Sequence, residues 1–289
     1  MFPPFWYSFQ SLMAKQEIRI AHSPDSDDAF MFYALATEKI SSGEFTFTHH
    51  LEDIDTLNQA ASKGTYEVTA VSIHACAYLH EQYALLNSGA SMGEGYGPVL
   101  VSKVRFPLQE LPQRKVAIPG EQTSAFLALK LMQPDFQYRV TSFDQIIPAV
   151  QRGEFDAGLV IHEGQLTYRD EGLFKLLDLG EWWEGTTGLP LPLGGNVIRR
   201  DLGMPAIRRI SALIQESISY AFSNTEEALA YALQFGRGLD AQLGERFVSM
   251  YVNERTLDDG EYGRTAVQLF LAQGHEAGII SHRVKVDFV

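Results

Sequence analysis

Short apolar runs rich in β-branched residues alternate along this chain with stretches of helical period, and turn-forming residues separate the two. Residues 18–23 alternate apolar and polar positions and predict a first strand, which Pro24-Asp-Ser-Asp-Asp28 breaks. Residues 29–40 continue at helical spacing until Ser41-Ser-Gly43, with Asp27 or Asp28 as the N-cap. Residues 45–51 alternate as a second strand, and Asp53 or Asp55 caps a helix through Lys63. A third strand at 68–73 runs into a helix carrying His74 and His80. Strands at 83–88 and 97–102 flank the loop Gly89-Ala-Ser-Met-Gly-Glu-Gly-Tyr-Gly97.

After a proline-marked linker at 106–112 a new βα pattern begins. It comprises a strand at 115–118, a helix over Ser124–Met132, a strand at 138–142, a helix at 143–152 and a buried strand at 157–161. A strand at 174–179 and the Trp-rich Gly180-Glu-Trp-Trp-Glu184 precede an extended stretch at 189–199. From Met204 the period is helical, over about 204–222, 225–236, 240–252 and 262–276, with Asn224 and Thr225 as a cap. Helices without intervening strands cannot build an α/β domain of their own, so they pack back on earlier elements.

The chain crosses over twice, near 97–103 and 191–199. Two crossings make two lobes: a larger one from 16–106 and 199–289, and a smaller one from 107–198, with residues 1–15 as an extension. This is an α/β organisation of the two-lobed solute-binding kind, mixed sheets flanked by helices, with the ligand cleft between the lobes.

Composition narrows the functional classes. A formal net charge of −13 argues against nucleic acid or an anionic membrane as partner. A small anionic ligand, which answers to local donors, is still allowed. The single cysteine, Cys76, excludes an intrachain disulfide and sits in an apolar helical stretch, where it reads as buried and inert. No apolar run reaches membrane-spanning length. The aromatic first dozen residues lack the features of a secretory signal, which reads as cytoplasmic residence with Met13 as the natural start.

Candidate chemistry gathers at strand ends. The strand at 157–161 delivers His162 and Glu163 at its carboxyl end, where open α/β sheets place ligands. An imidazole there is a natural general base, against the plainer reading of a strand-end histidine bonded to backbone. Glu163 either orients that ring or begins the next helix, and the helix role is favoured. Ser23 and Ser72 occupy equivalent strand ends, and Thr123 and Ser124 head a helix whose amides suit a carboxylate. The Asp-rich turn lacks the Gly and distal Glu of a calcium loop, and the Gly-rich loop does not match a dinucleotide fingerprint. Trp182 and Trp183 read as packing or rim residues, with a ligand-lining role as the alternative.

Four stretches together resemble the 1,4-dihydroxy-6-naphthoate synthase family: Ser23-Pro-Asp-Ser-Asp-Asp28 with the helix after it, Leu51-Glu-Asp-Ile-Asp-Thr-Leu-Asn58, Ile161-His-Glu-Gly-Gln-Leu-Thr-Tyr168 and Thr187-Gly-Leu-Pro-Leu-Pro-Leu-Gly194. The resemblance runs from about Ile18 to Val289. It implies the fold of type II periplasmic binding proteins and a cytoplasmic carbon–carbon lyase of the futalosine route to menaquinone. That enzyme converts cyclic dehypoxanthinylfutalosine without metal or organic cofactor. It further implies His162 as the base and substrate contacts at Ser23, Asp28, Ala70, Val71, Ser72, Thr123, Ser124 and Ile161. The family turn more usually reads Ser-Pro-Cys-Pro-Asn-Asp; the resemblance therefore gives Asp28 a role and assigns none to Asp25 or Asp27. The alternatives are a chorismate dehydratase-like enzyme of the same pathway, a non-catalytic small-anion binding protein and a sensor that binds without turnover. Oligomeric state stays open, a dimer included.

Overall fold

In chain order the strands are β1 (Gln16–His22), β2 (Phe45–Leu51), β3 (Val68–Ser72), β4 (Tyr83–Leu85), β5 (Ser91–Gly93) and β6 (Val99–Ser102). They continue with β7 (Lys115–Ile118), β8 (Gln137–Val140), β9 (Ala157–Val160), β10 (Phe174–Asp178) and β11 (Leu191–Arg199). The structure is a computed structural model that describes residues 15–235 and 240–289. The expectations for the first dozen residues, and for the last residue of the 225–236 helix, lie outside the described residues.

Two sheets result. The first has the order β2-β1-β3-β11-β4, with β5 also beside β11. Within it β1 runs parallel to β2 and β3, whereas β11 runs antiparallel to β3, β4 and β5. The second has the order β10-β6-β9-β7-β8, parallel across β8, β7 and β9 and antiparallel across β9, β6 and β10. The chain thus enters the second sheet at β6 and returns to the first in β11. Strands β3 and β9 are buried along their whole length, which is why β9, Ala-Gly-Leu-Val, reads as an unbroken apolar run and β3 carries only the small polar residues Thr69 and Ser72.

Helices α1 (Ser26–Ala36), α2 (Ile54–Ala61), α3 (Ile73–Leu79), α4 (Ser124–Met132), α5 (Phe143–Gln151) and α6 (Gly164–Thr167) follow strands. Next come α7 (Leu179–Thr187), α8 (Met204–Ser223), α9 (Thr225–Ala232), α10 (Ala241–Tyr251), α11 (Glu254–Leu257) and α12 (Gly260–Glu276). Helix α8 buries Ile207, Ile210, Leu213, Ile214, Ile218 and Ala221, an i, i+3, i+4 stripe, in one cluster with the apolar residues of α1. Helix α1 is apolar nearly all round because it lies between other elements and has little free face. The largest core cluster is continuous across both sheets, running from Val71 and Leu85 through Leu100, Val116 and Leu159 to Trp183 and Phe270.

Several local expectations change. The Trp-rich stretch is helical: Asp178 caps α7 by accepting from the Gly180 and Glu181 amides, and Trp183 is fully buried. Its indole donates to the Pro190 carbonyl at 3.0 Å, and its ring meets Phe270 edge-on. The glycine-rich loop contains β5, and the proline-marked linker closes into a 3-10 turn around buried Leu111. The C-terminus joins the first sheet edge, where Leu85 donates to Asp287 and accepts from Val289.

Candidate active site

The carboxyl ends of β1, β3, β7 and β9 point into one cavity of about 710 Å³, part of it open to solvent. His162 and the residues singled out with it, Ser23, Asp28, Ala70, Val71, Ser72, Thr123, Ser124 and Ile161, all line that cavity. So do Asp25, Asp27, Gln165 and Tyr251, which reading the sequence did not select. Trp182 and Trp183 do not.

His162 follows β9 with φ of +56°, in the left-handed region that side chains other than glycine seldom occupy. Two contacts hold this conformation. The His162 carbonyl accepts from the Gln165 amide N–H at 3.1 Å as α6 begins. The Gln165 side chain is oriented by its neighbours: its nitrogen donates to the Gly97 carbonyl and the Tyr251 hydroxyl, and its oxygen accepts from the His162 N–H at 3.2 Å. The imidazole packs edge-on to Phe143 at 5.0 Å.

Asp25 approaches the ring from the other sheet. Its Oδ2 lies 2.7 Å from His162 Nδ1, with the aspartate side chain 2% exposed and the histidine 16%. Local structure explains why Asp25 is the one presented. The Ser23 N–H donates to Asp28 Oδ2 at 2.8 Å, closing the turn between β1 and α1, so Asp28 serves the turn. Asp25 sits at the N-cap position in extended conformation, yet its carboxylate makes no capping bond to the helix. The resemblance assigns Asp25 no role, yet it is the carboxylate that meets the imidazole. Neither Asp27 nor Asp28 caps α1. Glu163 is buried and does not cap α6.

Burial and mutual repulsion hold the Asp27 and Asp28 carboxyls well above the usual range, with Asp25 adding to both shifts. Both also feel the opposing pull of His162. Asp27 and Asp28 therefore hold their protons to higher pH than free carboxyls do. Burial also pushes the Tyr251 phenol far up, so it acts as a neutral hydroxyl.

The opposite wall is neutral. Thr123 caps α4, accepting from the Phe126 N–H at 3.2 Å and donating to the Gly120 carbonyl at 2.8 Å. Ser124 donates to the Leu193 carbonyl at 2.6 Å and accepts from the His74 N–H at 3.2 Å. Both hydroxyl protons are committed, so what this wall offers an anion is the first-turn amides of Ser124 and Ala125, which have no intrahelical acceptor. Ser72 is fixed by Asn58, which donates to its oxygen and accepts from its backbone N–H. Gly89 closes another wall with φ of +81°, where a Cβ would come 2.4 Å from Asn196 Nδ2. Among the described residues no Lys or Arg lines the cavity.

Among the described residues no set of three or more His, Cys, Asp or Glu side chains is arranged to hold a metal ion. None of the described helices is long and apolar enough to cross a membrane. Burial pushes the Cys76 thiol up to about 12, which fits an inert core residue.

Fold and cleft together define a two-lobed α/β protein of the periplasmic-binding-protein class. The Candida albicans CA3427 gene product, described as exhibiting the generic periplasmic binding protein structural fold, superposes with a TM-score of 0.65 over 94% of this chain and 92% of that one. At 10% identity that likeness carries the fold alone. Protein AF1704 from Archaeoglobus fulgidus is nearer, with a TM-score of 0.87 and 45% identity over 91% of this chain and 98% of that one. The chain belongs to the menaquinone biosynthesis family, whose sequence profile matches residues 18–276. It is 39% identical over 274 residues to the 1,4-dihydroxy-6-naphtoate synthase of Thermus thermophilus, covering 95% of this chain and 100% of that one. The synthase of the same name from Streptomyces coelicolor is 36% identical over 277 residues, covering 93% of this chain and 96% of that one.

Proposed function

We propose that this chain is an enzyme of menaquinone biosynthesis that forms 1,4-dihydroxy-6-naphthoate from cyclic dehypoxanthinylfutalosine, with His162 as general base. The observation that carries the reading is an imidazole in the wall of the cleft, fixed at Nδ1, in a chain more than a third identical to two synthases of that name. Opening a carbocycle beside a carbonyl or hydroxyl requires that a proton be removed and the resulting oxyanion be held. A positioned imidazole contributes about a hundredfold to ten-thousandfold to the first. The α4 amides and the Ser72 hydroxyl serve the second. Asp27, which keeps its proton to higher pH than an ordinary carboxyl, is available to return one to the departing sugar-derived fragment. Aromatisation of the product supplies driving force that belongs to the substrate.

The polarity of the cavity orients the ligand. With carboxylates at the β1–α1 turn and no Lys or Arg among the described wall residues, an anionic group is best held at the α4 amides, and hydroxyls of the leaving fragment best face the aspartates. In this reading the ligand is a small anion, and neither nucleic acid nor a membrane is a partner. A cytoplasmic location goes with the same reading.

Incubation of purified protein with cyclic dehypoxanthinylfutalosine, followed by absorbance and chromatography, tests the proposal. Naphthoate should accumulate over many turnovers without added metal or cofactor. Stoichiometric binding with no product would instead make the chain a small-anion binding protein.

A further inference from the structure

We propose that Asp25 is the positioning residue for His162, its carboxylate reaching the imidazole from the turn after β1 in the other sheet. The inference rests on the reading of His162 as the base. Its ground is geometric. The imidazole belongs to the carboxyl end of β9, in the second sheet, and the carboxylate to the turn after β1, in the first. They meet at 2.7 Å, and the aspartate side chain is almost wholly buried. The β1–α1 turn is closed by Asp28 and Ser23, and the His162 backbone is held by Gln165.

A carboxylate at Nδ1 has two consequences. It holds the neutral ring in the tautomer with hydrogen on Nδ1, leaving Nε2 as the basic nitrogen. It also stabilises the imidazolium that forms once a substrate proton has been taken. The other titratable groups around the ring are Asp27 and Asp28 at the start of α1, Glu163 before α6, Asp144 beside Phe143 in α5, and Tyr251 of α10 beyond Gln165. Asp25 Oδ2 is the carboxylate oxygen that lies 2.7 Å from the ring nitrogen.

Asp25→Asn is the test, because it keeps the shape and removes the charge. With cyclic dehypoxanthinylfutalosine as substrate, kcat should fall by about a hundredfold to ten-thousandfold with little change in KM. The acidic limb of the kcat/KM profile should move to lower pH, since a neighbouring anion no longer favours the protonated ring. Equal loss in kcat and 1/KM with an unmoved limb would overturn the positioning role.

A second measurement does not depend on turnover. ¹⁵N NMR of the imidazoles, with the His162 signals assigned by comparison with His162→Gln, reads tautomer and titration directly. The wild-type ring should carry hydrogen on Nδ1 when neutral and titrate at lower pH in Asp25→Asn. An Nε2–H tautomer in the wild type would overturn the proposal even if the variant failed to fold. If the protein proves inactive on this substrate but the spectra are as expected, the functional reading fails and the Asp25–His162 couple stands.

Discussion

The side-chain amide of Gln165 and the hydroxyl of Tyr251 lie 2.6 Å apart, tying α6 beside the second sheet to α10 behind the first. Through its other end the same amide holds the backbone of His162 in its left-handed conformation. Replacing Gln165 by Leu should therefore misplace the imidazole and lower kcat by about a hundredfold, because small errors in reacting geometry are expensive. Tyr251→Phe removes one hydrogen bond and should cost about tenfold. Steady-state kinetics on both variants checks the order. A larger effect from Tyr251→Phe would show that the phenol itself touches the substrate.

His162→Asn should abolish most turnover, by about a hundredfold to ten-thousandfold, while ligand affinity changes little. Calorimetric titration with product beside the kinetic assay separates the two. Loss of affinity as large as the loss of rate would make His162 a binding group.

A pH effect on stability is expected from Asp259, remote from His162 in sequence and absent from the cavity wall. It is 1% exposed, and both its oxygens are buried with no hydrogen-bond partner among the described residues. Burial, with Asp258 adding and Arg264 opposing, pushes its carboxyl up to about 8. The unfolded chain releases this proton near the ordinary value of about 3.9. Between those two values the folded state binds more protons, so stability falls as pH rises through the window and levels off above it. Asp259→Asn should consequently melt several degrees above the wild type at about pH 9 and nearly with it at about pH 4. An equal difference at both pH values would show that this carboxyl does not titrate in the fold.

Trp183 should matter to stability alone. Its fully buried ring joins the core that both sheets share, and it is absent from the cavity wall. Trp183→Ala is expected to cost about 3–5 kcal/mol of unfolding free energy by opening a core cavity. KM of the folded fraction should be unaltered, as denaturant melts and kinetics at low temperature would reveal.

Much of the architecture can be read from the chain. The β-branched stretch at 68–72 and the apolar run at 157–160 locate β3 and β9, and with them the strand ends that carry Ser72 and His162. Helical spacing locates α8 and the helices after it because an amphipathic stripe is a local property. The Trp-rich stretch was not legible as α7, since its helix depends on the Asp178 cap and on a pocket for Trp183 built from distant segments. Asp25 was not legible either. Within its own turn it is one of three acids, and nothing nearby distinguishes the one that pairs with histidine from the one that closes the turn.

The sequence by itself determined which residues stand at strand ends, because burial and turn chemistry are written within a few positions of each. Tertiary structure alone decided which carboxylate meets the imidazole, and that the hydroxyls of Thr123 and Ser124 are committed to carbonyls. Those outcomes depend on how two sheets pack around a shared core, and a contact between distant segments leaves no periodicity in either one.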